Sequence, residues 1–180
     1  KMGATGIGYE IARSFGLALI EPRAGLVPLT FAQQDLDLCR PLAGLSVTAE
    51  VRHKADRRLA QFRDGLLFTH RGLSGPAILQ ISSFWQPGDE ITVDLAPGID
   101  IAANLREARA QGGRVSVATA LGRSLPARLA EAIATDCRLQ GARLADQGNA
   151  VLQRVGARVN NWAVRPVGSA TEVPVDVRIL

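Results

Sequence analysis

The chain has 180 residues, of which 47% are hydrophobic, enough apolar material for one ordinary domain or two small ones. Its formal net charge is +4, and all of its 21 basic residues except Lys1 and Lys54 are arginine. There is no run of about 18 apolar residues and no basic stretch leading into an apolar one at the N-terminus, so the composition predicts a cytoplasmic protein without membrane span or signal peptide.

In chain order, "KMGATGIGYEIARSFG" (1–16) places Gly3, Gly6 and Gly8 in a turn that runs into a helix with Ile7, Ile11 and Phe15 on one face. Residues 18–31 form an apolar extended stretch broken by Pro22, Gly25 and Pro28, which predicts only short or edge strands. Leu45, Val47, Ala49 and Val51 alternate with polar residues, the period of a strand with one buried face. Leu59 to Phe62 and Leu66 to Phe68 flank Asp64-Gly65, a local signal for a hairpin turn. Ser74, Gly75 and Pro76 then read as the start of a helix, "AILQISSFW", with Ser74 as its N-cap. One further strand is expected over Ile91 to Leu95.

From about residue 99 alanine, leucine and arginine dominate, and helices are expected near 101–110, 115–121, 126–134 and 145–155. Between 101 and 156 there are eight arginines against four acids, an excess equal to the net charge of the whole chain. A strand pattern returns near Val159, in "VNNWAVRPV" and "VPVDVRIL". This order predicts an α+β fold: a small antiparallel β-barrel-like sheet interrupted by a compact helical subdomain. The β part is expected to comprise residues 1–98 and 157–180, and the helical insertion residues 99–156.

The candidate chemistry is sparse. "GATGIG" has its glycines in the reverse order of the dinucleotide fingerprint, and no strand precedes it within the chain. It reads as a turn feeding a helix, or as a loop whose amides face a cofactor held elsewhere. "LFTHRGLSGP" (67–76) is the densest polar cluster, with Thr69, His70 and Ser74 between glycines. It lacks a nucleophile elbow and an acid partner for the histidine, so it reads either as a structural turn or as a loop facing cofactor or substrate. Cys39, Cys137, His53 and His70 have no metal-ligand spacing, so neither a metal site nor a disulfide is expected, and both thiols read as packing residues. Asp89-Glu90 reads as solvated charge, and Trp85 and Trp162 as core residues. No catalytic residue is assigned.

"KMGATGIGYEIARSFG", "PRAGLVPLTF" and "GLLFTHRGLSGPAILQISS", together with "VDLAPGID" and "LGRSLPARLAEAI", resemble the BaiN/YhiN-like family of bacterial NAD(P)/FAD-dependent oxidoreductases. The resemblance covers residues 1 to about 165. It implies an insert domain, barrel-like with a small helical part, whose partners are the FAD-binding halves of the same protein, absent from these residues. By the same resemblance FAD belongs to the full-length protein, with none expected in this chain alone, which is expected to be inactive. The insert would shape the flavin or substrate cavity, with Gly3, Thr5 and Gly6 near FAD at the junction and Thr69, His70 and Ser74 near flavin or substrate. The substrate implied is a small molecule or, if the arginine-rich helices dock it, RNA. A purely structural insert is the remaining alternative.

Overall fold

A computed structural model of the chain describes residues 6–20, 25–55 and 58–169, so the strand expected in "VPVDVRIL" lies outside the described residues. Among the described residues seven strands are formed: β1 (Leu29–Thr30), β2 (Ser46–Ala55), β3 (Arg58–Thr69), β4 (Gly72–Ser74), β5 (Ile91–Asp94), β6 (Trp162–Val164) and β7 (Gly168–Ser169). The helices are α1 (Ile7–Ser14), α2 (Leu36–Cys39), α3 (Pro76–Ser82), α4 (Ile101–Ala110), α5 (Val117–Leu121), α6 (Ala127–Asp136) and α7 (Asn149–Asn160).

The strands make one sheet in the order β6-β5-β2-β3-β4-β1-β7, and every pairing is antiparallel. Its two edge strands are consecutive in the chain, joined by residues 165–167 alone. Seven strands laid flat would separate those edges by about 29 Å, whereas the connection reaches at most about 14 Å. The sheet must therefore curl toward closure without completing it. Aromatic packing agrees: Trp162 of β6 meets Phe31, which follows β1 near the other edge, at a centroid distance of 6.2 Å in a T-shaped contact. Trp162 also stacks on Phe68 of β3 at 6.4 Å.

The long β2–β3 hairpin runs from Ser46 opposite Leu67 to Ala55 opposite Arg58. The reversal expected at Asp64-Gly65 does not occur: Asp64 pairs with Ala49 and Gly65 with Thr48, inside one continuous strand. The alternation of β2 is satisfied only by a partner of equal length, and that long-range pairing overrides the local turn signal. A Cβ at Gly65 would make only ordinary contact with the ring of Pro76, at 3.7 Å, while its carbonyl lies under Gly75. Ser74 is likewise not the cap of α3. It ends β4, and Gly75, at φ 91, opens the helix without any side-chain cap.

Helices α4 to α7 fall between β5 and β6 in the chain, as the sequence order predicts. Asp100 and Ser116 cap α4 and α5 by accepting hydrogen bonds from the amides of Ala103 and Thr119. α7 continues to Asn160, past the return of strand expected near Val159, because Val155 and Val159 extend its buried face by one more turn. Gly156 lets α7 approach α4 closely, since a Cβ there would lie 2.6 Å from that of Ala102. Asn160 then ties the layers together, donating to Asp94 Oδ1 and to the Ile99 carbonyl at 2.9 Å each while accepting from the Ile101 amide at 3.1 Å.

The core is one contiguous apolar cluster to which both the sheet, through Val51, Leu66, Phe68, Leu73 and Val93, and the helices, through Leu105, Leu129, Ile133 and Leu152, contribute. Each such fully buried Leu, Ile or Phe contributes roughly 1.5–3 kcal/mol relative to exposure. Helix α1 stands apart from it, for none of its residues is buried and Ile7, Ile11 and Phe15 are 61%, 52% and 78% exposed.

Candidate functional site

The polar cluster singled out in the sequence forms the tip and one face of the β3–β4 hairpin. Phe68 and Leu73 pair across this hairpin and are fully buried, so their neighbours Thr69 and Ser74 point to the opposite, outer face. His70 sits exposed in the turn between the strands. The Thr69 hydroxyl donates to the Gly72 carbonyl at 3.1 Å and accepts from the Arg71 amide at 3.3 Å, so it holds the turn. His70 and the half-buried Ser74 make no side-chain hydrogen bond among the described residues. The fold thus brings Thr69, His70 and Ser74 together. Gly6 begins α1, where an added Cβ would meet nothing within 4 Å. Gly3 and Thr5 lie outside the described residues.

The glycines of this motif serve the sheet. A Cβ at Gly72, whose φ is 144, would overlap the Leu29 carbonyl of β1, and one at Gly75 would lie 2.7 Å from the Gly65 carbonyl. Both positions are committed to close strand approach and do not form a phosphate cradle. The two glycines therefore offer no enclosure for a dinucleotide.

A second polar pair was not anticipated. His53 of β2, 2% exposed, lies 2.8 Å from Asp89 Oδ2, and the same carboxylate oxygen accepts from the Gln86 amide at 3.0 Å. The Trp85 indole donates to the Asp89 carbonyl at 3.0 Å. His53 occupies an inward position in the alternation of β2, the one signal by which the sequence marks it as buried and in need of a partner. The two thiols are buried, and burial pushes Cys39 up to about 12 and raises Cys137, so neither is a ready nucleophile. Among the described residues no group of three His, Cys, Asp or Glu side chains is placed to hold a metal ion.

Six arginines of the helical layer fall into two sets. Arg106 donates to Gln153, Arg109 to Asn149 and the Gln147 carbonyl, and Arg128 to the carbonyl of Pro41, so these three staple the helices to one another and to the segment before β2. Arg138, Arg154 and Arg158 gather instead around a single cleft beside Trp162. Arg158 lies just past the arginine-rich stretch marked in the sequence, one helical turn after Arg154. No described helix is long and apolar enough to cross a membrane.

A curled antiparallel sheet with an arginine-rich helical layer between two of its strands defines a mixed barrel-and-helix domain. Residues 23–171 match the family described as "HI0933-like protein barrel and H2TH domain", and the chain belongs to that family. It is 38% identical over 173 residues to the ribosomal RNA dihydrouridine synthase of Escherichia coli (strain K12). It is 34% identical over 168 residues to that of Haemophilus influenzae. Each alignment covers 93% of this chain and 41% of the relative, so the chain spans about two fifths of the length of these proteins. These findings agree with the flavoprotein family indicated by the sequence motifs.

Proposed function

We propose that this chain is the substrate-side domain of a flavin-dependent enzyme that reduces uridine in ribosomal RNA. The observation that carries the reading is its similarity, over 93% of its length, to two proteins named ribosomal RNA dihydrouridine synthase. Reduced FAD, held by the rest of the whole protein, would supply the hydride and end oxidised, with a proton completing the reduction of the pyrimidine double bond. The β3–β4 hairpin faces the reacting pyrimidine: Thr69 fixes the tip, while His70 and Ser74 orient the base and exclude water. A stacked uridine is out of reach of such a tip, so the target is unpaired or extruded.

Helix α1 supports the same arrangement. Eight residues are too few for a stable isolated helix, so its exposed face of Ile7, Ile11 and Phe15 calls for a partner surface. The FAD-binding part of the same protein supplies that surface.

The test uses the full-length protein and a ribosomal RNA transcript, with FAD read from the visible spectrum and dihydrouridine by mass spectrometry of nucleosides. A combined His70→Ala and Ser74→Ala variant is expected to retain FAD and to lose about ten-fold or more in turnover. Wild-type protein that makes no dihydrouridine overturns the RNA reading, and a variant as active as wild type reduces the hairpin to a structural element.

A further inference from the structure

We propose that the cleft between the ends of α6 and α7 grips a backbone phosphate of single-stranded RNA, with Arg138 and Arg154 as its ligands. The inference rests on the ribosomal RNA reading above and assigns it a binding site separate from the hairpin.

The cleft has a volume of about 540 Å³, and its lining includes Asp136, Arg138, Arg154, Arg158, Asn161 and Trp162. Its one carboxylate is already engaged: Arg158 holds Asp136 through Nε at 2.6 Å and Nη2 at 3.2 Å. The same guanidinium lies 5.2 Å from the centroid of the Trp162 ring, which is 3% exposed, so Arg158 forms a fixed basic wall. Arg154 makes only a long contact, 3.5 Å, with the Cys137 carbonyl. Arg138 makes no side-chain hydrogen bond or ion pair among the described residues. Two guanidiniums therefore face the cleft without an acidic partner.

The electrostatic sum favours an anion despite two helix C-termini. The ends of α6 and α7 each bring about half a negative charge. Set against three arginines and one aspartate, they leave the cleft positive by about one charge. Planar guanidiniums suit phosphate oxygens, with two donors per oxygen pair.

The backbone carries an independent mark. Arg138 stands just past the end of α6 at φ 60, in the left-handed region, with the amides of Arg138 and Leu139 bonding back to the carbonyls of Thr135 and Ala134. This terminus ordinarily takes glycine. An arginine held there is strained, and strain of this kind collects at binding sites. The cleft also communicates with the candidate site, since Trp162 stacks on Phe68, the residue before Thr69.

The experiment measures binding of a fluorescein-labelled oligouridylate to the full-length protein between about 50 and 200 mM salt. Arg138→Gly combined with Arg154→Gln is compared with Arg114→Gln combined with Arg123→Gln, an equal loss of charge at exposed positions outside the cleft. The cleft variant is expected to bind about ten-fold more weakly, with its salt slope reduced by about 0.7 for the one lost single-strand phosphate contact, while the control changes little. Arg138→Gly alone is expected to bind RNA more weakly yet unfold at higher denaturant, a combination that a structural arginine does not produce. Equal losses in the two double variants, or wild-type binding by the cleft variant, overturn the proposal. Uridine monophosphate competing as well as the oligonucleotide also overturns it, assigning the cleft to a free nucleotide. Wild-type protein that binds no RNA overturns the ribosomal RNA reading itself.

Discussion

His53 Nε2 and Asp89 Oδ2 lie 2.8 Å apart, joining an inward residue of β2 to the loop that precedes β5. Because the imidazole is buried, its loss leaves a void and frees the loop that Asp89 organises through Gln86 and Trp85. His53→Ala is expected to lower stability by about 2–3 kcal/mol in chemical denaturation. A loss below about 0.5 kcal/mol, the size of an ordinary surface change, would show that the pair is dispensable.

Gly75 combines a φ of 91 with a neighbour that leaves no room for a side chain, the Gly65 carbonyl. Gly75→Ala is expected to cost more than about 2 kcal/mol, since strain and overlap act together. Gly148, with nothing within 4 Å of an added Cβ, is the comparison: Gly148→Ala is expected to stay within about 1 kcal/mol of wild type. Equal melting points for the two variants would contradict the packing role given to the motif glycine.

Cys39 is held up to about 12 from an ordinary 9.0, chiefly by burial, with Arg158 opposing and Asp35 adding to the effect. In the native state the thiol keeps its proton where the unfolded chain releases it. The stability linked to Cys39 is therefore fully present below about pH 9 and is lost as pH rises toward 12. Native protein at mildly alkaline pH is expected to resist iodoacetamide at Cys39, and denatured protein to react fully, as peptide mass mapping would read. Rapid native labelling would rule out the buried environment.

Ile11 lies on the uncovered face of α1, 52% exposed. Ile11→Asp is expected to leave the unfolding of this chain unchanged and to destabilise the full-length protein by about 1–2 kcal/mol, the worth of one apolar side chain at an interface. Equal effects in both proteins would place the partner of α1 within this chain.

Sequence periodicity located most of the elements. The four helices after residue 99, α3 and the alternating β2 are all visible as spacings of three to four or of two, because each depends on residues a few positions apart. The same motif that names the family also places Thr69, His70 and Ser74 on one hairpin. Its local reading misleads at Ser74, which looks like a helix cap but ends β4, while the two glycines answer to backbone distant in sequence.

The amino-acid sequence by itself determined the order of elements, the alternating and helical faces, and the concentration of arginine in the helical layer. Only the tertiary structure decided that β3 runs through Asp64-Gly65, that His53 meets Asp89 across 36 positions, and that Arg138, Arg154 and Arg158 share a cleft. A periodic pattern states which face of an element is apolar, and that is a local property. Register and helix packing choose which faces meet, and those choices are set by burial shared over the whole core.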